Sequence, residues 1–214
     1  MKDRNSKVLT SFKLDYKGLD INKSSYFGSS DLYDYMDKMG YESILMNAGF
    51  SWFWDINDND FGLDFNIGFT DAIALEISSE FSGIGAEFLN LNYEAMAAYF
   101  LTSFKINQIE ISVFDQSIKQ KLYELAALEM NMTVSQIKEL AINFINNNAE
   151  ELTLGTNDLQ KQYLLALTNF IGDSNKFTIR MKPNNPVSIA ELTPYFLNQN
   201  YDLLLEKINL SVEN

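Results

Sequence analysis

The chain has 214 residues, 46% hydrophobic and 14% aromatic, enough apolar surface to offset the entropy of ordering one large domain or two small ones. His and Cys are both absent, which excludes imidazole and thiolate nucleophiles, His or Cys metal sites, CxxC redox pairs and disulfides. Sixteen basic residues against 29 acidic ones give a formal charge of −13, so phosphate backbones are repelled and nucleic acid is not an expected partner.

The start, Met1 to Lys7, is polar and reads as a disordered leader without the apolar core of a signal peptide. Either the protein is cytoplasmic, or an export signal has been trimmed from it. No run approaches the roughly 18 apolar residues of a membrane span, the longest being Ala95 to Leu101. From Val8 to Tyr16, Phe12, Leu14 and Tyr16 alternate with Ser11, Lys13 and Asp15, which predicts a half-buried strand broken at Gly18. A short helix is predicted over Asp31 to Met39, capped by Ser29 or Ser30 and stopped by Gly40.

The clearest pattern follows. Phe50, Trp52 and Trp54, then Phe61, Leu63, Phe65, Ile67 and Phe69, then Ile73, Leu75, Ile77 and Phe81 recur with period two, separated by short turns. This predicts an antiparallel meander with one aromatic face and one acidic face. The segment from Asp31 to Glu94 carries 13 acids and one base, Lys38, and Asp64, Glu76 and Glu80 fall on the acidic side. Such a face suits divalent cations or a basic protein partner, or serves only solubility.

Asn90 to Leu101 reads as a helix. A strand follows through Phe104 and Ile106, slips phase at Asn107 and Gln108, and resumes at Ile109, Ile111 and Val113, the signature of a bulge. Three helices come next: one capped by Asp115 and reaching Met130, one opened by a Thr133/Gln136 capping box, and one opened by Asn157 with Gln160 and ending at Gly172. Lys176 to Lys182 returns to strand, Ser188 with Glu191 caps a short helix, a helical turn spans Tyr201 to Leu205, and Ile208, Leu210 and Val212 form a closing strand.

Motifs that carry chemistry are weak. Asp55-Ile56-Asn57-Asp58-Asn59-Asp60 spaces oxygen ligands as the first half of a calcium loop does, but Asp60 and Asn66 stand where such a loop needs Gly and Glu, so a hairpin turn is the simpler reading. Trp52, Trp54, Phe50, Phe61 and Phe65 could line a groove for a sugar or acyl chain, or form core, and Phe53 points away from them. Gly83-Ile84-Gly85 begins like a dinucleotide fingerprint but has Phe88 in place of the third glycine. No nucleophile elbow is present, and paired carboxylates for glycan cleavage rest on abundance alone.

Gly40-Tyr41 after a short helix, the Asp/Asn-rich turn, the long strand into Asp115, the capped helices and the segment KFTIRMKPNNPVSIAEL resemble uncharacterised cell-envelope proteins of Gram-negative bacteria, of alphaproteobacterial type, over residues 30–214. The resemblance implies a periplasmic address and no established activity.

The expected fold is α+β: an antiparallel β-meander sheet covered on one face by several α-helices, in one domain from residue 8 or in two packed lobes divided near 101. The expected role is non-enzymatic, binding a protein partner or an apolar ligand, with Phe65 buried beneath helices. The alternatives are a carboxylate-based hydrolase or lyase acting on a glycan, and a calcium-dependent adhesion or assembly module. No catalytic residue, ligand-binding residue, metal ligand or cofactor is assigned.

Overall fold

Each alternating run folds as a strand. The computed structural model describes residues 10–21, 30–41, 43–149 and 157–214. Strands β1 (Ser11–Ile21), β2 (Ile44–Asp55), β3 (Asp60–Phe69), β4 (Ile73–Ser82) and β5 (Lys105–Asp115) follow one another across an open antiparallel sheet, continued by β6 (Lys176–Met181) and β8 (Leu210–Glu213). The two-residue β7 (Val187–Ser188) pairs with β5 at Lys105 and Ile106. The fold is α+β, and residues on both sides of 101 share the sheet through β4 and β5.

Helix α1 (Ser30–Lys38) ends where Gly40 adopts φ +77°; the Ser29 and Ser30 side chains expected to cap it lie outside the described residues. A 3-10 turn (Ala86–Asn90) and α2 (Tyr93–Ser103) join β4 to β5. Helices α3 (Ile118–Met130), α4 (Val134–Asn147) and α5 (Asn157–Gly172) lie between β5 and β6, and α6 (Ile189–Leu197) and α7 (Tyr201–Lys207) between β7 and β8. Both expected capping boxes form, Thr133 with Gln136 and Ser188 with Glu191, each satisfying two backbone donors of a first turn. Asp115 accepts the Lys119 amide at 2.9 Å, inside the first turn of α3.

Three boundaries differ from expectation. Gly18 does not end β1: it takes φ +75° in an irregularity between Tyr16 and Leu19, and the strand resumes pairing through Ile21. Ile208 belongs to the buried end of α7 rather than to the closing strand, because it packs with Val187, Leu192 and Leu204. The β7 strand escapes a periodicity argument because it has two residues. The slip in β5 is a bulge at Asn107, whose side-chain oxygen accepts the Ser82 hydroxyl at 2.8 Å.

The helices cover one face of the sheet chiefly over its β6 and β8 side and, among the described residues, reach the meander only at its ends. Helices α3, α4 and α5 pack on one another around Tyr123, Ala127 and Ile137, and α5 lies against β8 and β6, where the Tyr163 and Phe170 rings flank Phe177 at 6.0 and 5.9 Å. Helices α6 and α7 close on Ile106, Met181 and Leu210 at the other end of the same strands. At the β3–β4 turn, α1 packs Met36 with Tyr41 and Ala72 beside Phe69 and Ile118. Among the described residues the buried apolar side chains gather in three clusters, two at the ends of the sheet and one among α3, α4 and α5.

On the polar face, β2 and β3 cover each other's glycines. A Cβ at Gly62 would lie 2.1 Å from Phe53 Cε1, and one at Gly49 would lie 2.5 Å from the Asn66 amide nitrogen. Phe53, the residue out of phase with the two tryptophans, is the lid of Gly62.

Candidate functional site

Residues directly opposite one another in an antiparallel sheet project to the same side, so the pairing register defines each face. Leu14 pairs with Phe50, Phe50 with Phe65, Phe65 with Ile77, Ile77 with Ile111, Ile111 with Ile179, and Ile179 with Val212. These seven apolar side chains form one row perpendicular to the strands, running from one edge of the sheet to the other.

Among the described residues the row is covered at its β8 end, half-buried at Ile77 and Ile179, and open at the other positions. Val212 is buried beneath α5, whereas Leu14 is 57% exposed, Phe50 and Phe65 38% each, and Ile111 37%. From β1 to β5 the open part crosses four strand spacings, about 19 Å at about 4.8 Å each. Phe65, expected beneath helices, therefore lies in the open strip: the helices sit on the strands that follow them in the chain, and the meander precedes nearly all of them.

A second row, Phe12, Trp52 and Leu63, borders the first, and aromatic rings continue it toward α2. Trp52 and Phe61 lie 6.1 Å apart, Phe61 and Phe81 6.2 Å, and Phe81, Phe104 and Phe100 are stacked at 4.6 and 4.4 Å. Trp54 is fixed by a 2.6 Å hydrogen bond from its indole N–H to the Ile84 carbonyl. These contacts make the floor stiff without a layer above it.

The opposite face is polar. Asp64 accepts hydrogen bonds from the Ser51 and Ser78 hydroxyls at 3.1 and 2.8 Å, with Glu76 and Glu80 on the same face, each two residues from Ser78. Farther across, Arg180 bridges Glu110 at 2.8 Å and Glu213 at 3.1 Å, and the buried Ser112 and Thr178 hydroxyls meet at 2.8 Å. Glu76→Lys with Glu80→Lys should leave stability unchanged or raised, because it relieves like charges on β4. Clear destabilisation in denaturant titrations at both low and high salt would show these carboxylates to be structural.

The Arg180 hydrogen bond is the main reason that the Glu110 carboxyl titrates below its ordinary range. A carboxyl with a depressed folded value stabilises the fold above its unfolded value and loses that contribution as pH falls through the folded one. Arg180→Gln should therefore cost about 1 kcal/mol near neutral pH and progressively less on acidification, read from unfolding midpoints across the carboxylate range. A deficit that stays constant with pH would assign Arg180 a packing role instead.

The remaining motifs resolve into structure. In the Asp55–Asp60 hairpin turn, the Asp55 carboxylate accepts the backbone N–H groups of Asn57 and Asp58 at 3.0 and 3.3 Å, and Asn59 takes φ +60°. Among the described residues no group of three acidic side chains is placed to hold a metal ion. Gly83 has φ +88°, and a Cβ there would stand 1.8 Å from the Ser103 carbonyl oxygen, so this glycine serves the close approach of two backbones. Lys119 is tied to the Phe170 and Ser174 carbonyls at the end of α5, and burial lowers its ammonium's titration point.

The alternation already shows that Phe50 and Phe65 share a face, but it omits which apolar face goes uncovered. A signal for that was available: only one short helix is predicted before residue 90, too little to cover four strands.

A family model described as "Uncharacterized protein" matches residues 66–214, and the chain belongs to that family. No curated protein and no solved structure matches the chain.

Proposed function

We propose that this chain is a non-enzymatic binding protein that lays an apolar ligand, acyl or aromatic in character, along the open row of its sheet. The observation that carries the reading is the row itself: Leu14, Phe50, Phe65, Ile77 and Ile111 stand in direct register on five adjacent strands, and all but Ile77 are more than a third exposed. Burying such side chains yields about 25 cal/mol per Å² of apolar surface removed from water, and contiguous exposed apolar surface marks interaction sites. The strip extends across five strands, which fits an extended hydrocarbon better than a compact polar metabolite. A periplasmic address is part of the proposal and rests on the resemblance to envelope proteins.

Both tryptophans of the chain, Trp52 and Trp54, stand on the apolar face, so ligand entry can be read from intrinsic fluorescence. Titration with palmitate and with anilinonaphthalene sulfonate should give saturable binding, weakened at least about tenfold in Phe50→Asp/Phe65→Asp, since two apolar contacts are replaced by charges that resist desolvation. Saturable binding that the double variant leaves unchanged would overturn the assignment of the site, and no binding of either probe would overturn the ligand class. Recovery of the chain with cytoplasmic markers after osmotic shock would overturn the address.

A further inference from the structure

The sheet has two outer edges, and they differ. At one edge β8 is four residues long and lies against α5, with the Asn214 side chain donating to the Ala166 carbonyl. At the other, β1 has 11 residues and no proline, and among the described residues no strand pairs with its outer side. Up to the irregularity after Tyr16 its run is regular, and a regular edge strand whose outer groups are unpaired is a template for another strand.

The direction of its free hydrogen-bonding groups follows from one contact. Trp54 N–H donates to the Thr10 carbonyl at 2.8 Å, so even-numbered residues from Thr10 to Tyr16 aim their backbone groups at β2. By the alternation of an antiparallel ladder, Ser11, Lys13 and Asp15 aim theirs outward. Phe12, Leu14 and Tyr16 lie on the apolar face, 40, 57 and 48% exposed, while Lys13 and Asp15 lie on the polar face with their charged groups 3.3 Å apart.

We propose that β1 pairs antiparallel with β1 of a second copy of this chain, with Leu14 facing Leu14 on the two-fold axis. In that register Lys13 of each copy sits opposite Asp15 of the other, and Phe12 opposite Tyr16, so both faces of the joint are complementary. Registers centred on Phe12, Lys13 or Asp15 keep the faces aligned but lose this, and one centred on Tyr16 runs into the irregularity between Tyr16 and Leu19. Centring on Lys13 sets lysine against lysine, centring on Asp15 sets aspartate against aspartate, and centring on Phe12 leaves Lys13 opposite Ser11. A lysine on an edge ordinarily discourages pairing. Here an aspartate two residues away converts the edge from self-repelling to self-complementary. The pairing joins two eight-stranded sheets and makes their apolar rows continuous.

The test is sedimentation velocity on the full chain at protein concentrations up to about 100 μM, the range of a weak transient interface. The wild type should show a monomer–dimer equilibrium. Lys13→Asp and Asp15→Lys should each raise the dissociation constant about tenfold or more, since two symmetry-related attractive pairs become repulsive. An equimolar mixture of the two variants should recover the dimer, because each then supplies the charge that the other lacks. Lys13→Pro, whose lost N–H points outward, should be monomeric with an unchanged unfolding midpoint. A wild type that sediments as a monomer throughout overturns the proposal. So does a dimer that survives Lys13→Pro but dissolves in Phe50→Asp/Phe65→Asp, which would place the contact on the apolar face. Loss of probe binding in that double variant with the dimer intact would leave edge pairing standing and bear on the ligand site alone.

Discussion

Leu204→Ala is expected to lower the unfolding free energy by about 2–5 kcal/mol, and Phe65→Ala by only about 1 kcal/mol, although the phenyl ring is the larger loss. Leu204 is 6% exposed and packs with Val187, Leu192 and Ile208, so truncation leaves a cavity that two short helices and a two-residue strand have little freedom to close. Phe65 keeps more than a third of its surface in water, and its removal exposes floor instead of creating a void. Denaturant titrations of the two variants side by side decide the point. Equal losses would mean that the apolar face is covered in solution, and the open-strip description would fail.

Gly83→Ala should cost about 2–4 kcal/mol, against roughly 1 kcal/mol for Gly18→Ala. The two glycines have similar positive φ angles, +88° and +75°, so the strain of placing an L-residue there is common to both. Their surroundings differ. A methyl at residue 83 meets the backbone carbonyl of Ser103, which cannot swing aside without moving the junction of α2 with β5, whereas residue 18 has nothing within 4 Å. Thermal midpoints of the two variants give the comparison, and similar shifts would show that the segment after β4 can move away from Ser103.

The meander, the bulge in β5 and both capping boxes were readable from the residues because each has a local cause. Period two places Phe61 to Phe69 on one side whatever lies above them, a phase slip at Asn107 has few other solutions, and Thr133 with Gln136 needs only four consecutive residues. The coverage of the sheet has no such local cause. Whether Phe65 is core or floor depends on where α3 to α5 come to rest; those helices begin some fifty residues later, pack on one another and settle through α5 on β6 and β8. Ile77 and Phe65 look alike in a hydropathy pattern whether a helix lies over them or not. Gly83 was ambiguous for the same reason, as the Ser103 carbonyl that requires it is twenty residues away.

The reciprocal covers on the polar side, Phe53 over Gly62 and Asn66 over Gly49, bear on how the chain reaches this arrangement. Each pair joins a gap on one strand to a side chain on its neighbour. Sliding β3 by two residues keeps every side chain on its proper side, yet removes both fits at once, stranding a ring and an amide above occupied positions. The β2–β3 hairpin therefore carries its own alignment key, readable over a loop of four residues. Segments that recognise one another at such short range close within microseconds, far sooner than strands separated by a long connection such as β5 and β6 can meet. The β2–β3 hairpin thus belongs, with the equally local β3–β4 hairpin, to the early part of the sheet, and it supplies a finished edge on which the slower pairings are measured out.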